Sequence, residues 1–359
     1  MRVGVHISTG GDLGRAPEIA KELSCETMQI FSGNPRGYVK PPLKPETVSA
    51  FKAGVESGGI RPIVVHATYL INLAAPKDDV YRLSVESFLD ELGRTRDLGC
   101  EFYVLHIGNH GGAGMEEGRR RVAEAFKRAF AEVDRCPKIL VENTSGSGTS
   151  LGGTFEDIAA LFDAVGGRVG LCFDTCHALA AGYEIRTPDG AGKTLDTACR
   201  LLGRESLLCI HVNDSKGELG SHIDRHEHLG LGEIGEEGFR AFFSDARLAD
   251  LPAILETPKE PEGADERNLA ALRALISGAP MPGVAWGTAA GGRRKARKGK
   301  NTAGGESGIG VSEKSETRDA APRRPGRDGQ AGSSVSGSGR MQGKTRTVEG
   351  KRPGGRKQR

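Results

Sequence analysis

Residues 207–211 read LLCIH, a short apolar run that stops on a side chain able to bind a metal. Five further runs repeat the pattern, and the residues that end the six runs are His66, His106, Glu142, Asp174, His211 and Glu256. Apolar runs of this length, separated by longer segments of helical periodicity, are typical of buried parallel strands. In barrels of such strands the carboxyl ends carry the chemistry. The pattern therefore predicts a polynuclear metal centre at the mouth of a barrel.

The spacing of the runs predicts the number of strands. The predicted strands span residues 2–6, 27–31, 62–66, 102–107, 138–142, 169–174, 207–212 and 253–256. Apolar residues at three- and four-residue spacing predict helices at 45–57, 78–98, 116–133 and 154–165, the last with Thr154 as its cap. Strands that alternate with helices favour a parallel sheet, and closure removes its edges. We predict an α/β fold of the (β/α)₈ TIM-barrel type.

The composition changes near residue 280. Residues 281–359 contain 19 Lys and Arg against 6 Asp and Glu, a net of +13, so the total of +3 leaves about −10 for residues 1–280. We expect a single barrel domain over residues 1–280 and a disordered tail, rich in Gly, Ser, Arg and Lys, over residues 281–359. Two interpretations of the tail stay open: a polyanion such as nucleic acid as its partner, or a solvated extension without one.

The cysteines and the apolar residues bear on the compartment. The seven cysteines are odd in number, scattered and mostly inside apolar runs, unlike a disulfide framework. The chain starts directly with a strand-like segment, and no stretch approaches 18 consecutive apolar residues. These features predict a cytoplasmic protein with no membrane partner.

Two short motifs add to the strand-end ligands. Asp174 and His177 are three residues apart after the sixth strand, and Asp224 and His226 lie in a long polar loop over residues 213–235. The full set of candidate ligands is His66, His106, Glu142, Asp174, His177, His211, Asp224, His226 and Glu256. Nitrogen and oxygen donors without a cysteine suit zinc, or manganese and iron in some environments. Clustered divalent ions are a common device for displacement at phosphorus, which favours phosphodiester hydrolysis.

Two loop motifs place other chemistry beside the rim. GNPRGY carries Arg36, and HATYLINL carries Tyr69 and Leu70. These side chains suit phosphate contact and insertion into a base stack. The alternative interpretation is that Arg36 is an ordinary surface arginine and that Tyr69 and Leu70 are core residues of a loop between a strand and a helix. His6 is expected to make a hydrogen bond at the rim, and Cys172 is expected to pack in the barrel interior.

The long motifs identify a resemblance to a known family. GLCFDTCHALAAGY at 170–183 and HVNDSKGELGSHIDRHEHLGLGEIG at 211–235, with VEN at Glu142 and LETP at Glu256, resemble the endonuclease IV family of abasic-site endonucleases. The resemblance runs from residue 1 to about residue 276, departing at Ile107 and Leu231, which are not ligands. It implies a (β/α)₈ barrel with three zinc ions that cuts DNA on the 5′ side of an abasic site and leaves a 3′-hydroxyl. We expect a monomer acting on double-stranded DNA that contains abasic sites.

The resemblance also implies a role for each residue. His66, His106 and Glu142 would hold a first zinc, Glu142, Asp174, His211 and Glu256 a second, and His177, Asp224 and His226 a third. Glu142 would bridge two ions that supply the attacking hydroxide, Glu256 would orient the attacking water, and the third ion would neutralise the departing 3′ oxygen. Arg36, Tyr69 and Leu70 would enter the minor groove, bend the DNA and hold the abasic sugar out of the stack.

Two rival functions are considered. A metal-dependent sugar isomerase or epimerase shares the barrel and the strand-end ligands, but such enzymes need one or two ions and an additional acid–base pair. The ligand pair of the polar loop argues against it. A noncatalytic lesion-binding protein with a relic site is the other, and the intact ligand set argues against that.

Overall fold

The computed structural model describes residues 1–9 and 11–282 of the 359-residue chain. The predicted disordered tail lies outside these residues except for its first two positions. The chain divides into two units, Met1–Gly291 and Gly292–Arg359. Every element described below belongs to the first unit.

Eight parallel strands close into a barrel, as predicted. The strands are β1 (Arg2–His6), β2 (Thr27–Ile30), β3 (Ile63–His66), β4 (Phe102–Leu105), β5 (Lys138–Glu142), β6 (Gly170–Asp174), β7 (Leu207–His211), the short β8 (Asp214–Ser215) and β9 (His226–Glu227), and β10 (Pro252–Leu255). The barrel order is β1-β10-β7-β6-β5-β4-β3-β2, with β8 and β9 paired outside it. Each predicted strand matches an observed one to within two residues at either end.

Helices connect the strands on the outside. They are α1 (Ala16–Glu22), α2 (Pro45–Gly58), α3 (Asp78–Leu98), α4 (Met115–Glu132), α5 (Phe155–Ala164), α6 (Thr175–Ala181), α7 (Pro188–Leu202), α8 (Gly235–Phe243) and α9 (Ala264–Ser277). The four predicted helices correspond to α2, α3, α4 and α5. The Thr154 side chain caps α5 as expected, accepting a hydrogen bond from the backbone N–H of Asp157.

Three segments depart from the local pattern. Glycines interrupt the helical periodicity in the segment before residue 202, but α7 begins at Pro188. Proline suits the first position of a helix, and the Thr187 side chain caps the amino end of α7. Asp174 and His177, three residues apart after the sixth strand, lie in the first turn of α6, which the Asp174 side chain caps. The polar loop at 213–235 contains the antiparallel β8–β9 pair.

The core has two layers, and the inner one supports the rim. Side chains alternate along a strand, so one set fills the barrel and the other packs under the helices. The inner cluster consists of Val64, Val104, Leu140, Cys172, Cys209 and Ile254. These residues lie two positions before the candidate ligands at the ends of six strands, so each candidate ligand points into the barrel mouth above a packed floor. None of the described helices is both long enough and apolar enough to cross a membrane.

Candidate functional site

All nine candidate ligands lie at the carboxyl end of the barrel. His66, Glu142, Asp174 and His211 are the last residues of β3, β5, β6 and β7. His106 and Glu256 immediately follow β4 and β10, His177 lies in α6, and Asp224 and His226 come from the polar loop. Parallel strands bring their carboxyl ends to one rim, which is why residues far apart in the sequence meet here.

A first group of donors surrounds one oxygen of Glu142. The Nε2 atoms of His66 and His106 lie 3.2 Å and 3.5 Å from Glu142 Oε2. Donor atoms of the three residues are all within 4.8 Å of one another. Their spacing suits a single ion between two imidazoles and a carboxylate.

A second group surrounds the other oxygen of Glu142. His211 Nδ1 lies 3.0 Å from Glu142 Oε1 and 3.3 Å from Glu256 Oε2. Asp174 completes this group, again with all donor atoms within 4.8 Å. Glu142 therefore presents one oxygen to each group, the arrangement expected of a carboxylate that bridges two cations.

A third group lies beside the second. His177 Nε2 is 3.1 Å from Asp224 Oδ1 and 3.4 Å from His226 Nε2, and His226 Nε2 is 3.7 Å from the same Asp224 oxygen. Asp174 is also near, with Oδ2 3.8 Å from His226 Nε2. This group thus contains the three residues implied by the resemblance and has Asp174 at its border with the second group.

The electrostatics of the site favour positive charge. Burial raises the pKa of the Glu142 carboxyl, but the imidazoles of His106 and His211 outweigh it and hold that pKa well below its ordinary value. Burial likewise lowers the pKa of His211, whereas the carboxylates of Glu256 and Glu142 bring it well above the usual histidine value. Acidic groups that stay ionised in a buried place need cations nearby, either protons on the imidazoles or metal ions.

The imidazole hydrogen bonds show that the residues fit metal ions. His177 and His226 each donate from Nδ1 to a backbone carbonyl oxygen, at 3.0 Å from Asn143 O and 3.0 Å from Glu256 O respectively. In neutral imidazoles the two Nε2 atoms would then be lone-pair donors, and they face each other at 3.4 Å. Two such lone pairs repel unless a cation lies between them. The donor set is of the nitrogen and oxygen type that zinc accepts.

Two asparagines that the sequence motifs do not identify as site residues hold the candidate ligands Asp174 and Glu256 in place. Asn143 accepts a hydrogen bond from Asp174 N at 2.8 Å and donates to Asp174 O at 3.1 Å. Asn213 donates to Asp174 Oδ2 at 2.7 Å and accepts from Glu256 N at 2.8 Å. The available signal was an asparagine one or two residues after a strand-end ligand, in VEN and HVN.

Asp214 organises the polar loop that carries Asp224 and His226. Its buried carboxylate accepts hydrogen bonds from the backbone N–H groups of Ser215, Gly230, Gly232, Ile234 and Gly235. A Cβ on Gly232 would come within 2.4 Å of Asp214 Oδ1, so the loop needs glycine there. Five donors on one carboxylate give this loop a defined path although it lacks apolar periodicity.

The two loop motifs lie on the cavity that opens above the donors. A cavity of about 1520 Å³ is lined by Arg36 and Tyr69 together with ligands of all three groups. Tyr69 is 74 % exposed and Leu70 37 % exposed, so neither is a core residue. The Tyr38 hydroxyl donates to Leu70 O at 2.8 Å, which ties the two loops together.

Other histidines and cysteines around the site have partners that are not candidate metal groups, apart from His6. His6 contacts Gln29 and Glu256 at the rim. His110 accepts hydrogen bonds from Gly112 N and Gly114 N, and His222 bonds Ser145 O. Cys172 packs in the inner cluster, and burial raises the pKa of its thiol well above the ordinary value, so the thiol stays protonated. Cys176 is also buried.

Known proteins resemble this chain over the whole barrel. The family described as xylose isomerase-like TIM barrel matches residues 17–275. A probable endonuclease 4 from Chloroflexus aurantiacus is 45 % identical over 282 residues, which cover 77 % of this chain and 99 % of the relative. The crystal structure of endonuclease IV from Thermus thermophilus superposes with a TM-score of 0.70 at 38 % identity, covering 78 % of this chain and all of that one.

A structure from a different enzyme class has a similar backbone. A D-tagatose 3-epimerase-like protein superposes with a TM-score of 0.58 at 20 % identity, covering 77 % of this chain and 99 % of the other. Likeness at this level of identity shows a shared barrel and carries no information on the reaction.

Proposed function

This chain belongs to the endonuclease IV family and is a DNA-cleaving hydrolase of DNA repair, and we propose that it hydrolyses the phosphodiester on the 5′ side of an abasic site and leaves a 3′-hydroxyl. The observation that carries the proposal is the position of Glu142. Its two oxygens face two donor groups, and a third group lies beside them. A site with three adjoining groups suits the neutralisation of both the attacked phosphate and its leaving oxygen.

The protein uses metal ions, and we propose three zinc ions, one for each group. His66, His106 and Glu142 would hold the first, Glu142, Asp174, His211 and Glu256 the second, and His177, Asp224 and His226 the third. The mixture of imidazole and carboxylate donors in these groups supports zinc, as do the Nδ1 hydrogen bonds of His66 and His177, which turn Nε2 towards the ion position. Manganese or iron is the alternative at some positions, since both accept the same donors.

Clustered divalent ions, when bound, supply an activated water and stabilise charge on the phosphate and the leaving group. The chain's own residues determine where that chemistry takes place. Glu142 is fully buried and holds the two groups at a fixed separation. The Glu256 side chain is 17 % exposed and lines the cavity, whereas the side chains of Glu142 and Asp174 are fully buried. We therefore assign the orientation of the attacking water to Glu256.

We propose that Arg36, Tyr69 and Leu70 contact the minor groove of double-stranded DNA. Tyr69 lines the cavity, and both Tyr69 and Leu70 are exposed. This supports the role, because exposed aromatic and aliphatic side chains beside a phosphate-cleaving site can enter a base stack. Arg36 is exposed on the adjoining loop and would neutralise a backbone phosphate. An abasic position offers the least resistance to such insertion, since it has lost one base of the stack.

The setting of the reaction is proposed from simpler features. All nine donors come from one chain, which suits a monomer. The seven cysteine thiols are unpaired, which suits the reducing cytoplasm. The basic segment 281–359 would add nonspecific DNA affinity through its net charge of +13 and compensate for the acidic barrel.

Metal analysis paired with cleavage of defined duplexes tests the proposal. Zinc-loaded protein is expected to hold about three equivalents of zinc and to nick a duplex that contains one tetrahydrofuran abasic analogue. A DNA polymerase should extend the product, because the new end is a 3′-hydroxyl. A matched duplex without the lesion should stay intact.

Two variants separate the chemistry from general damage to the protein. Glu142→Gln should abolish nicking, while Glu124→Gln, an exposed position on α4, should nick at the wild-type rate. A fully loaded protein that leaves the abasic duplex intact would reject the nuclease assignment. Conversion of a ketose sugar by the same preparation would favour the isomerase or epimerase alternative.

A further inference from the structure

The ligand histidines differ in how their second ring nitrogen is held. In three of them Nδ1 donates to a backbone carbonyl and leaves Nε2 for the ion, at 2.8 Å for His66, 3.0 Å for His177 and 3.0 Å for His226. His211 has the opposite arrangement. Its Nδ1 faces the carboxylates of Glu142 and Glu256, and its Nε2 lies 2.8 Å from the side-chain oxygen of Gln29.

Gln29 lies on β2, a strand that supplies no ligand. Its side chain is fully buried and reaches across the barrel mouth to two ligands of the second group. Gln29 Oε1 accepts a hydrogen bond from His211 Nε2 at 2.8 Å, and Gln29 Nε2 donates to Glu256 Oε1 at 2.5 Å. The remaining amide hydrogen points to His6 Nδ1 at 2.9 Å. All hydrogen-bonding groups of this amide are therefore directed at the metal centre or its neighbour.

The contacts define the orientation of the amide. The reversed orientation would set the amide oxygen against the Glu256 carboxylate, a repulsive contact, so the amide nitrogen faces Glu256 and the amide oxygen faces His211 Nε2. In the observed orientation Gln29 Oε1 accepts a hydrogen bond from His211 Nε2, so Nδ1 is the ring nitrogen left to face an ion in the second donor group. Glu256 Oε1 is occupied by the amide, so Oε2 is the oxygen left for that group.

The absence of charge on Gln29 is part of its fit. Four carboxylates already meet at the site, from Glu142, Asp174, Asp224 and Glu256. A fifth carboxylate beside Glu256 would repel it, and an ammonium would compete with the ions for the same oxygens. A neutral amide orients one imidazole and one carboxylate together without changing the charge.

We propose that Gln29 is a positioning residue of the second donor group: it selects the tautomer of His211 and the rotamer of Glu256, and so sets the affinity of this group for its ion. The inference rests on the proposed metal centre, not on the identity of the DNA lesion. Outer partners of metal ligands typically change metal affinity or activity by about 10- to 100-fold when they are removed.

Gln29→Leu tests this most directly, because leucine fills a similar volume and removes both polar contacts. A competition titration with a chromophoric zinc chelator measures the Kd of the protein for each zinc equivalent. For one equivalent, the Kd of the variant should be about 10- to 100-fold higher than that of the wild type. The kcat on the abasic duplex should fall by a similar factor. The KM for DNA should stay the same, since Gln29 is buried and lies apart from the exposed loops.

Thr27→Val is the matched control. Thr27 is buried on the same strand and donates a hydrogen bond from its hydroxyl to Pro62 O, away from the ligands. This variant should lower the Tm without changing zinc release. If Gln29→Leu does not fold, Gln29→Asn keeps the amide but is one methylene too short to span His211 and Glu256, and it should weaken one zinc equivalent by the same mechanism.

Zinc release within twofold of the wild type in a folded Gln29 variant would overturn the proposal. A matching loss of zinc affinity in the Thr27→Val control would also overturn it, since the effect would then be one of strand packing. If zinc affinity falls as expected while the loaded wild-type protein fails to nick the abasic duplex, the positioning role stands and the proposed function fails.

Discussion

The Lys40 ammonium lies 2.7 Å from the Glu91 carboxylate in an ion pair whose side chains are 0 % and 1 % exposed. The other Glu91 oxygen accepts hydrogen bonds from the Tyr103 hydroxyl at 2.9 Å and from Thr68 N at 3.3 Å. Lys40 follows the loop that carries Arg36, and Thr68 immediately precedes Tyr69. One carboxylate on α3 therefore holds both loops proposed to contact DNA.

Removal of the Glu91 charge should destabilise the protein and weaken DNA binding together. Glu91→Gln leaves the Lys40 ammonium buried without a counter-charge, which costs about 3–5 kcal/mol in such pairs. We expect a fall of that size in the free energy of unfolding, measured by urea denaturation. The double variant Lys40→Met/Glu91→Gln should recover much of it. Glu86→Gln, in an exposed ion pair on the same helix, should change stability by no more than about 0.5 kcal/mol; an equal loss there would contradict the role of burial.

Loss of the Asp224 carboxylate should empty the third donor group alone. Asp224→Asn removes the anion that lies 3.1 Å from His177 Nε2. We expect the purified variant to lose about one zinc equivalent and about 100-fold or more in kcat, as removal of a charge-stabilising group does elsewhere. Metal analysis of the dialysed protein is the measurement. Glu218→Gln, exposed in the same loop, is the control; retention of all three ions by Asp224→Asn would refute the assignment of the third group.

Removal of metal should lower thermal stability. Buried carboxylates converge at the rim, and each ion that binds only the folded state at a concentration 1,000 times its Kd stabilises that state by about 4 kcal/mol. Dialysis against a chelator should therefore lower the Tm, and zinc should restore it. The Gln29→Leu variant should need more zinc for the same recovery. A Tm that does not respond to the chelator would exclude a preformed metal centre.

The Arg36 side chain should contribute one phosphate contact. Arg36→Ala is expected to weaken binding to the abasic duplex and to reduce the slope of log K against log salt by about 0.9, the value for one neutralised phosphate. Filter binding or fluorescence anisotropy at several salt concentrations gives this slope. Arg135→Ala, exposed after α4 near the amino end of β5, should leave it unchanged. The same slope in both variants would remove Arg36 from the DNA contact.

Truncation after Pro280 should separate the two sources of DNA affinity. The removed segment has a net charge of +13, so binding to undamaged DNA should weaken and its salt dependence should decrease. Turnover at saturating abasic substrate should stay at the wild-type value, because every proposed ligand precedes the cut. An unchanged salt slope would show that the segment does not anchor the protein on DNA.

Much of the barrel could be predicted because its signal is local. A short apolar run, a polar residue at its end and an amphipathic segment after it repeat along the chain, and each unit can be recognised without its neighbours. Five helices, α1, α6, α7, α8 and α9, were not predicted, and α6 shows why a local signal can fail. Its cap, Asp174, is also a candidate ligand, and a seven-residue buried helix is too short to show a periodic pattern.

The residues that support the proposed ligands could not be predicted in the same way. Gln29 is 182 residues from His211 and 227 residues from Glu256, and nothing in the segment around it differs from an ordinary buried strand. A lysine followed by two prolines is typical of an exposed loop, but the Lys40 side chain is buried against α3. Asn143 and Asn213 had a weak signal, because each lies next to a strand-end motif.

By itself, the sequence determined the barrel strands, the side chains available at their ends and the nine candidate donors, which lie in motifs that resemble those of a known family. Only the tertiary structure decided that Glu142 turns one oxygen to each of two groups, that Gln29 joins His211 to Glu256, and that one carboxylate supports both loops proposed to contact DNA. The physical reason is that periodicity is a property of neighbouring residues. Distances between side chains depend instead on strand register and on closure of the barrel, which bring together residues from opposite ends of the domain.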